Sequence, residues 1–427
     1  MRHTIQILFI GLLLMNSLCA QSNFVNVKLA RPILATYDFA QTEPSIAINP
    51  NNSKEMIAGS IVNDYYYSSD GGSTWQSKSL KSKYGVWGDP VMMFDKHNAA
   101  YYFHLAQYKK VFIDRIVCQR ASSMDGKFSK GSFPAPNGKK AQDKHWLAYS
   151  HQKDAFYMTW TQFDTYGSKN SLDSSVIMFS KSMNHGKSWS KPLRISKWSG
   201  DCMDGDKTVE GAYPTVDKEG NIYVVWSSEN GLCFQKSHDN GQTWLKEERI
   251  IGKLFGGWDL SIPGIQRCNG FPVLLADTSA GLHTGRLYLN WSDQRSGEDD
   301  TDIWLTYSDD QGQNWVNPIR VNQDQGKKHQ FFSWMAIDQS DGKLYVVYFD
   351  RRNHEDLKTD VYLSVSSDGG NHFQDHLISE KPFVPDAKVF IGDYNNISAV
   401  KGVIRPIWPR MDEGKISLMV ALIDNLK

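Results

Sequence analysis

Short runs of apolar and β-branched residues, separated by turn residues, follow one another along most of the chain. In one stretch, runs at 212–217, 222–226 and 232–237 are separated by the Glu-Gly-Asn turn at 219–221 and by a short polar segment. Runs of this length, rich in Val, Ile, Tyr and Trp, are typical of strands. No segment keeps helical periodicity over about 12 residues. The pattern therefore predicts a protein built almost entirely of β-strands.

A short turn motif recurs six times between these runs. It has the form Ser-x-Asp-x-Gly-x-[Thr/Ser/Asn]-[Trp/Phe] and occupies 68–75, 122–128 (in a shortened form), 182–189, 237–244, 308–315 and 366–373. Its first serines stand 54, 60, 55, 71 and 58 residues apart, close to the length of one four-stranded sheet with its loops. The Asp side chain accepts hydrogen bonds from nearby backbone N–H groups, and the glycine tolerates a positive φ. Each copy is predicted to be a turn whose aromatic residue begins the next strand and packs between neighbouring sheets.

This motif resembles the Asp box of the sialidase-like β-propellers, also called BNR-repeat proteins. The segments EPSIAINPNN (43–52), DKHWLAYS (143–150), YFDRRN (348–353) and IGDYNNISA (391–399) also resemble secreted proteins labelled exo-α-sialidase. The resemblance implies an all-β propeller with the boxes on the outside, away from a central site. The resemblance is specific for the fold and much less so for the activity, because the same turn occurs in hydrolases, lyases, receptors and proteins without known activity.

Seven blades of four strands are predicted, with six blades, as in true sialidases, as the alternative. After the last turn motif, three strand-like runs remain at 395–400, 403–408 and 416–423. The N-terminal run 25–35 is expected to supply the fourth strand and close the ring, which removes exposed sheet edges. Residues 21–427 then form one propeller domain with about 58 residues in each blade.

Residues 1–20 are typical of a secretory signal peptide. A basic start precedes the apolar run 5–15, and cleavage is predicted after Ala20. The alternative is a lipid anchor on Cys19, which the large Leu18 before it disfavours. No later apolar stretch reaches the length of a membrane span. We therefore expect a secreted or periplasmic protein, soluble after cleavage.

The charges of the chain balance, with 47 Lys and Arg against 47 Asp and Glu. This balance gives no global electrostatic argument for nucleic acid or an anionic membrane surface as a partner. Any charge selectivity must be local. The expected partner is a glycan or glycoconjugate, and the expected state is a monomer.

Four cysteines follow the signal segment: Cys118, Cys202, Cys233 and Cys268. An even number permits disulfides in an oxidising compartment, although the order of pairing cannot be read from sequence. Cys202 and Cys268 fall in loops that open consecutive blades, so this pair is the predicted disulfide. Cys118 is expected to be a buried free thiol.

In a propeller, the loops that lead into the innermost strands surround the central axis. In chain order, these loops carry Glu43, Asp89, Asp143, Glu210, Arg267, His329–Gln330 and Asp393. Five carboxylates around one axis repel each other unless some are protonated, paired or bound to a cation. A carboxyl with a raised pKa beside an ionised one suits acid/base catalysis. The alternative is structural, because charged residues at strand starts often hydrogen-bond neighbouring loops.

Other residues near these loops are candidate substrate contacts. They are Arg267 and Arg352 for an acidic group on the substrate, Trp146 and Trp334 as stacking faces, His145 and His329 as polar contacts or lyase bases, and Tyr394 as a catalytic hydroxyl. Arg352 has a structural alternative, because Asp293 before Arg295 and Asp350 before Arg352 recur at matched offsets and suggest an ion pair within each blade. Arg267 has no such counterpart and is the better ligand candidate.

The catalytic signature of the sialidases is incomplete in this chain. Where sialidases carry Arg-Ile-Pro near the first blade, residues 42–45 read Thr-Glu-Pro-Ser, so Glu43 replaces the first arginine. Glu210, with Tyr213 nearby, resembles the Glu that partners the sialidase Tyr nucleophile, and Tyr394 lies near the predicted axis.

One loop is a candidate for calcium. It carries Asp201, Asp204, Asp206 and Glu210, whose oxygens suit Ca²⁺. A solvated loop is the alternative, because the spacing matches no known calcium loop. No zinc-site spacing occurs, and no other cofactor is predicted.

These features together predict a secreted, sialidase-like glycoside hydrolase that acts on a glycan with an acidic sugar. Two alternatives stay open: a polysaccharide lyase, and a glycan- or protein-binding propeller without catalytic activity.

Overall fold

The computed structural model describes residues 23–29, 33–34 and 41–426. The predicted signal peptide and Cys19 lie outside the described residues.

The strands form seven antiparallel sheets, which we number as blades along the chain. Blade 1 contains Ser45–Asn49, Asn52–Ser60, Asp64–Ser68 and Gln76–Ser79; blade 2 contains Gly88–Phe94, Ala100–Ala106 and Arg115–Ala121; blade 3 contains Ala141–Ser150, Ala155–Phe163, Ser175–Ser182 and Leu193–Arg194; blade 4 contains Glu210–Val216, Ile222–Ser228, Gly231–Ser237 and Arg249–Gly252. Blade 5 contains Val273–Ala276, Leu287–Asp293, Asp302–Ser308 and Ile319–Arg320; blade 6 contains Gln330–Ile337, Leu344–Asp350, Asp360–Ser366 and Gln374–Leu377; blade 7 contains Asn396–Val400, Val403–Asp412, Lys415–Asp424, Val25–Lys28 and Ile33–Leu34. The helical structure among the described residues is the short 3₁₀ turn Tyr108–Lys110.

The N-terminal strand closes the ring. Val25–Lys28 pairs antiparallel with Lys415–Asp424, with Val25 opposite Leu422, and Ile33–Leu34 pairs with the start of the same strand. The innermost strand of each blade contacts that of the next, and the innermost strand of blade 7 contacts that of blade 1. The prediction of seven blades closed by an N-terminal strand is therefore confirmed.

Blade 2 differs from the others because it has three regular strands. A single bridge between Cys118 and Ser132 stands where the fourth strand would pair. This blade contains the shortened turn 122–128, in which the Ser123 hydroxyl still donates to Asp125 at 2.8 Å. The shortened turn and the incomplete sheet occur together, since the turn normally leads into the fourth strand.

The complete turn motifs have the expected hydrogen bonds. In 68–75, the N–H of Thr74 donates to Asp70 and the N–H of Gly72 donates to the Ser68 hydroxyl, both at 2.9 Å. The bond from the glycine N–H to the serine hydroxyl recurs at 2.9 Å in the four other complete copies. Gly72 has φ +90°, a conformation that favours glycine.

The aromatic residue of a turn motif packs against the preceding blade, as predicted. Trp244 of blade 4 lies 4.9 Å from Phe179 of blade 3, measured between ring centroids. Trp315 of blade 5 lies 5.7 Å from Phe234 of blade 4. These edge-to-face contacts join neighbouring sheets at the periphery of the ring.

The two ends of the ring carry different features. Because the strands of each blade are antiparallel, the turn motifs lie at the end where the innermost strands finish. We call this end the turn-motif face and the opposite end, where the innermost strands begin, the strand-start face. No helix among the described residues is long and apolar enough to cross a membrane.

The four cysteines are buried free thiols, so the predicted Cys202–Cys268 disulfide is not formed. The two thiols have different surroundings: Cys202 lies by the backbone of Asp164 and Thr165, and Cys268 by the backbone of Phe332. Loops that open consecutive blades are thus close in topology without presenting their thiols to each other. Cys118 is the buried thiol that the sequence predicts.

Candidate functional site

Backbone irregularities position side chains at the strand-start face. The innermost strands of blades 2, 3, 4 and 6 lose their register where they begin, as β-bulges do. The residues in these bulges have positive φ: Asp89 (49°), Lys144 (46°), Gly211 (71°) and Phe332 (55°). Glu43, just before blade 1, has φ 50°. Left-handed backbone costs a non-glycine residue about 1–2 kcal/mol, and such strain clusters at functional sites.

Lys144 is the residue at this face that sequence reasoning missed. Its Nζ lies 3.0 Å from Asp393, 3.4 Å from Glu43 and 3.6 Å from Asp89. The side chain is 4% exposed, and it connects blade 3 with blades 1, 2 and 7. Its position within the segment 143–150, directly after Asp143, was the available signal.

Arg267 supplies the second cation of the cluster. Its guanidinium contacts Asp204 at 2.9 Å and Asp393 at 3.3 Å. The Asn269 side-chain amide also donates to Asp393 at 2.7 Å, and the Tyr166 hydroxyl donates to Asp204. The Arg267 side chain is 24% exposed, which makes it the more accessible of the two cations.

Six carboxyl groups therefore surround two cations: Glu43, Asp89, Asp143, Asp204, Glu210 and Asp393. We call these eight residues the axial cluster. Five of the carboxyl groups were predicted to converge, and the structure brings all five together with Asp204. Asp204 was predicted as part of a calcium loop.

Burial raises the pKa of some of these carboxyl groups and so favours their protonated form. It raises the pKa of Asp143 to about 7, with a further contribution from the negative charge of Asp89. Burial also raises the pKa of Glu43 and of Glu210 well above the ordinary value. Each of the three lies among other carboxylates, which adds to the effect of burial.

Other carboxyl groups of the cluster are held ionised. Burial opposes the ionisation of Asp204, but the charge of Arg267 and hydrogen bonds hold its pKa below the ordinary value. Burial also opposes the ionisation of Asp393, but the positive charges of Lys144 and Arg267 outweigh this effect and hold its pKa below the ordinary value. The cluster thus contains carboxyl groups with raised pKa values beside others with lowered pKa values.

Two carboxyl pairs lie close together in this arrangement. Burial raises the pKa of Glu43 and of Glu210, and the neighbouring Asp393 and Asp204, respectively, raise it further. Neither oxygen of Glu210 receives a hydrogen bond from a described residue, and the side chain is fully buried. Protonation turns Glu210 into a donor to Asp204 and so satisfies it. Pairs of this kind, with pKa values pushed apart, are typical of acid/base sites.

The predicted stacking residues form a floor beneath the cluster. The rings of Trp146 and Trp334 pack on each other with centroids 4.6 Å apart, and Tyr394 lies 5.2 Å from Trp146. Both tryptophans are 4% exposed. The Tyr394 hydroxyl has no hydrogen-bond partner among the described residues, and its ring lies below Lys144 at 5.3 Å. These rings separate the axial cluster from the channel below.

The channel opens toward the turn-motif face. A cavity of about 270 Å³ is lined by Trp146, Tyr213 and Trp334. A larger cavity of about 720 Å³ lies at the turn-motif face, where Phe94 and Tyr149 line it. The carboxyl groups of the axial cluster line neither cavity.

Three predicted contact residues lie away from the cluster. His145 is buried beside His104 of blade 2. His329 hydrogen-bonds to Thr301 at 3.1 Å. Arg352 contacts Asp350 and Asp375, each at 2.6 Å, so it forms the within-blade ion pair that its sequence recurrence suggested. Among the described residues, none of these three side chains forms a hydrogen bond or an ion pair with a residue of the axial cluster.

The acidic loop does not gather its carboxyl groups around one point. Asp206 accepts hydrogen bonds from the backbone N–H groups of Trp258 and Asp259, at 2.7 and 2.9 Å. Asp201 accepts a hydrogen bond from the Thr208 hydroxyl at 2.9 Å. Asp204 and Glu210 of this loop belong to the axial cluster, whereas Asp201 and Asp206 are occupied by these hydrogen bonds.

Exposed aromatic rings lie beside the cluster. Trp87 is 41% exposed and packs edge to face on Phe112, which is 39% exposed, with centroids 5.2 Å apart. Phe112 in turn lies 5.5 Å from Tyr166, whose hydroxyl binds Asp204. This row leads from the rim of blade 2 to the axial cluster. Sequence reasoning missed it, because the rings come from three different loops.

Comparisons with known proteins identify the fold. No protein-family model matches the chain, and no curated protein matches it significantly. A protein of unknown function from Dyadobacter fermentans is 11% identical, with a TM-score of 0.50 over 93% of this chain and 99% of its own. A polysaccharide lyase acting on ulvan is 13% identical, with a TM-score of 0.51 over 92% of this chain and 96% of its own. A microbial sialidase named for the Hadza is 12% identical and covers 88% of this chain and 75% of its own, with a TM-score of 0.47. At these identities the similarity concerns the fold, and the chain is a seven-bladed β-propeller.

Proposed function

We propose that the protein is a secreted, carbohydrate-active propeller that binds an acidic glycan at the strand-start face and hydrolyses a glycosidic bond there. The observation that carries this proposal is the axial cluster, in which carboxyl groups with raised and lowered pKa values lie side by side next to the partly exposed guanidinium of Arg267. Glycoside hydrolysis needs one carboxyl group that donates a proton and another that acts as base or nucleophile.

Each role falls to a residue of the cluster. Asp143, with a pKa of about 7, retains a proton near neutral pH and donates it to the leaving oxygen. Asp204, ionised and with a side chain 12% exposed, is the base or nucleophile. Arg267 receives the acidic group of the sugar. Glu43, Asp393 and Lys144 hold the blades and the local charge in place.

The positive charge on the surface of blade 2 favours an acidic ligand. Residues 78–140 contain twelve Lys and Arg against four Asp and Glu, although the whole chain is balanced. Lys81, Lys83, Lys127 and Lys130 are exposed around a groove of about 360 Å³. Within the described part of the chain, none of the four forms an ion pair. We call this the lysine groove, and an anionic polymer is its natural ligand.

The exposed rings of Trp87 and Phe112 add a second element of carbohydrate recognition. Aromatic faces at a rim give apolar contact area next to polar groups, which suits sugar rings. The solved ulvan lyase also carries an acidic glycan, described as -[GlcA(1-4)Rha3S]-.

The test is an assay of product release from glycans that contain uronic acid, sialic acid or sulfate. We expect new reducing ends or free sialic acid with the wild type, and a loss of roughly 100-fold or more in turnover for Asp143→Asn. Glu219→Gln, an exposed change in a turn on the opposite face, is the control and should retain full turnover. Turnover that is equal in Asp143→Asn and the wild type would overturn the assignment of Asp143.

A binding propeller without turnover is the second candidate. It is favoured by the closure of the site, because Glu43, Asp143, Glu210 and Asp393 are at most 7% exposed. It predicts saturable glycan binding that depends on Arg267 and no released product from any glycan in the panel. A lyase is distinguished by ultraviolet absorbance from a new double bond in the product. His145 and His329 lie away from the cluster, so the base of such a lyase would be a tyrosine such as Tyr394.

A further inference from the structure

Three side chains converge on the turn-motif face, far from the axial cluster in topology. His97 lies in the turn between Gly88–Phe94 and Ala100–Ala106, Asp154 in the turn between Ala141–Ser150 and Ala155–Phe163, and His185 in the turn motif 182–189. One ring nitrogen of each histidine and a carboxylate oxygen of Asp154 all lie within 4.8 Å of one another. This group lies at the seam between blades 2 and 3.

We propose that His97, Asp154 and His185 bind a divalent transition-metal ion, with zinc as the best match. Two imidazoles and one carboxylate suit Zn²⁺, which takes three protein ligands and keeps a fourth position for water. This site is independent of the proposed hydrolysis, and none of its residues belongs to the axial cluster.

The spacing of the ligand atoms is close to that around a tetrahedral ion. Bonds of about 2.0–2.1 Å place neighbouring ligand atoms about 3.3 Å apart. The His97 Nε2 lies 2.8 Å from one Asp154 oxygen, and the His185 Nδ1 lies 3.6 Å from the other. All three ligand atoms lie within 4.8 Å of one another, and the three side chains are partly exposed and can rotate toward a shared ion.

The surroundings favour a metal over a plain hydrogen-bond cluster. His185 Nδ1 is buried at the atom level and has no hydrogen-bond partner among the described residues, yet it faces the carboxylate. The two imidazole rings meet edge to face at 5.4 Å. The Tyr149 hydroxyl donates to Asp154 at 2.6 Å, an outer hydrogen bond of the kind that orients ligating carboxylates.

One cation competes with the proposed ion. Lys96 Nζ lies 3.6 Å from Asp154, but its side chain is 35% exposed and can move into solvent. A bound metal would connect the incomplete blade 2 to blade 3 across this seam and would stabilise the folded state by binding it selectively.

The test is calorimetric titration of tag-free, chelator-treated full-length protein with Zn²⁺, together with thermal unfolding with and without the ion. We expect one saturable site, a rise in the unfolding midpoint with Zn²⁺, and reversal by a chelator. His185→Ala should weaken Zn²⁺ binding by roughly 10- to 100-fold or more. His238→Ala, an exposed histidine in the turn motif of blade 4, is the matched control and should bind as the wild type does.

Lys96→Ala gives the more specific test, because it removes the cation that competes with Zn²⁺ for Asp154. Removal of the competing cation should tighten Zn²⁺ binding, whereas a purely structural cluster gives no such gain. His97→Ala, whose side chain is half exposed, replaces His185→Ala if that variant fails to fold. Equal Zn²⁺ affinity in the wild type and the histidine variants, or the lack of a saturable site in the wild type, would overturn the proposal.

Discussion

The axial cluster and the ion pairs inside blades 5 and 6 are both buried arrays of charge, but they are neutralised in different ways. Arg295 contacts Asp293 at 2.7 Å and Arg352 contacts Asp350 at 2.6 Å, in each case two residues along the chain. Lys144 instead contacts Glu43 and Asp393, which are 101 and 249 residues away. A local pair stabilises one loop of one blade, whereas the axial cluster joins six blades and leaves more carboxyl groups than cations. The surplus of acid is what makes the axial cluster chemically different.

Replacement of Lys144 should give the largest effect on stability. Lys144→Met leaves Glu43, Asp393 and Asp89 without their shared cation, and loss of one partner of a buried pair costs about 3–5 kcal/mol. The free energy of unfolding in urea measures this loss. Lys139→Met, an exposed lysine, is the control with an expected change near zero. A loss below about 1 kcal/mol for Lys144→Met would show that the cluster contributes little to holding the ring together.

Variants of Arg352 and Arg267 should distinguish an effect on stability from an effect on ligand binding. Arg352→Met leaves the fully buried Asp350 unpaired and should cost about 3 kcal/mol of unfolding free energy without changing glycan affinity. Arg267→Met should reduce glycan affinity roughly 10-fold or more, because it removes the accessible cation of the cluster. Urea unfolding and calorimetric glycan binding of both variants make the comparison. Equal effects of the two variants on glycan binding would contradict the distinction between the two arrays.

The pH dependence of the unfolding free energy should reveal the excess of carboxyl groups over cations in the axial cluster. Asp143 has a pKa of about 7 in the folded protein and about 3.9 when unfolded, so between these values the folded state binds more protons. Its contribution to stability is therefore full below about pH 4 and is lost as the pH rises toward 7. The unfolding free energy should change less between pH 5 and pH 8 in Asp143→Asn than in the wild type, and the reduction in this change should be on the order of 2 kcal/mol. An unchanged difference would mean that Asp143 is ionised in the folded protein.

The lysine groove should give the smallest effect on folding. Replacing Lys81, Lys83, Lys127 and Lys130 by serine should change the unfolding free energy by less than about 0.5 kcal/mol for each site, because these lysines are exposed and form no ion pair with a described residue. The same variant should bind an anionic polysaccharide more weakly and with a shallower salt dependence. Binding of a neutral glucan serves as the control. Full retention of polyanion affinity would remove the groove from the proposed function.

The proposed zinc site offers a further contrast within the molecule. Its three ligands come from turns of two neighbouring blades, and the sequence shows no zinc-site spacing, because the histidines are far apart along the chain. The within-blade pairs of Arg295 and Arg352 were predictable for the opposite reason. Their partners recur at the same short offset, so the repeat itself makes them visible.

The sequence by itself determined the blades and predicted their number, seven over six, and the closure of the ring. Six turn motifs at regular spacing and the strand-like N-terminal run 25–35 gave that information, since turn geometry and strand patterns are local properties. It also indicated which carboxyl groups approach the axis, because the strand starts of a propeller must converge. Tertiary structure decided the rest: that Lys144 and Arg267 neutralise part of the cluster, that Asp204 joins it, that Trp146 and Trp334 close its floor, and that Cys202 and Cys268 stay apart. The reason is that side-chain direction and pairing between blades depend on backbone bulges and on neighbours more than 100 residues away, which no local pattern specifies.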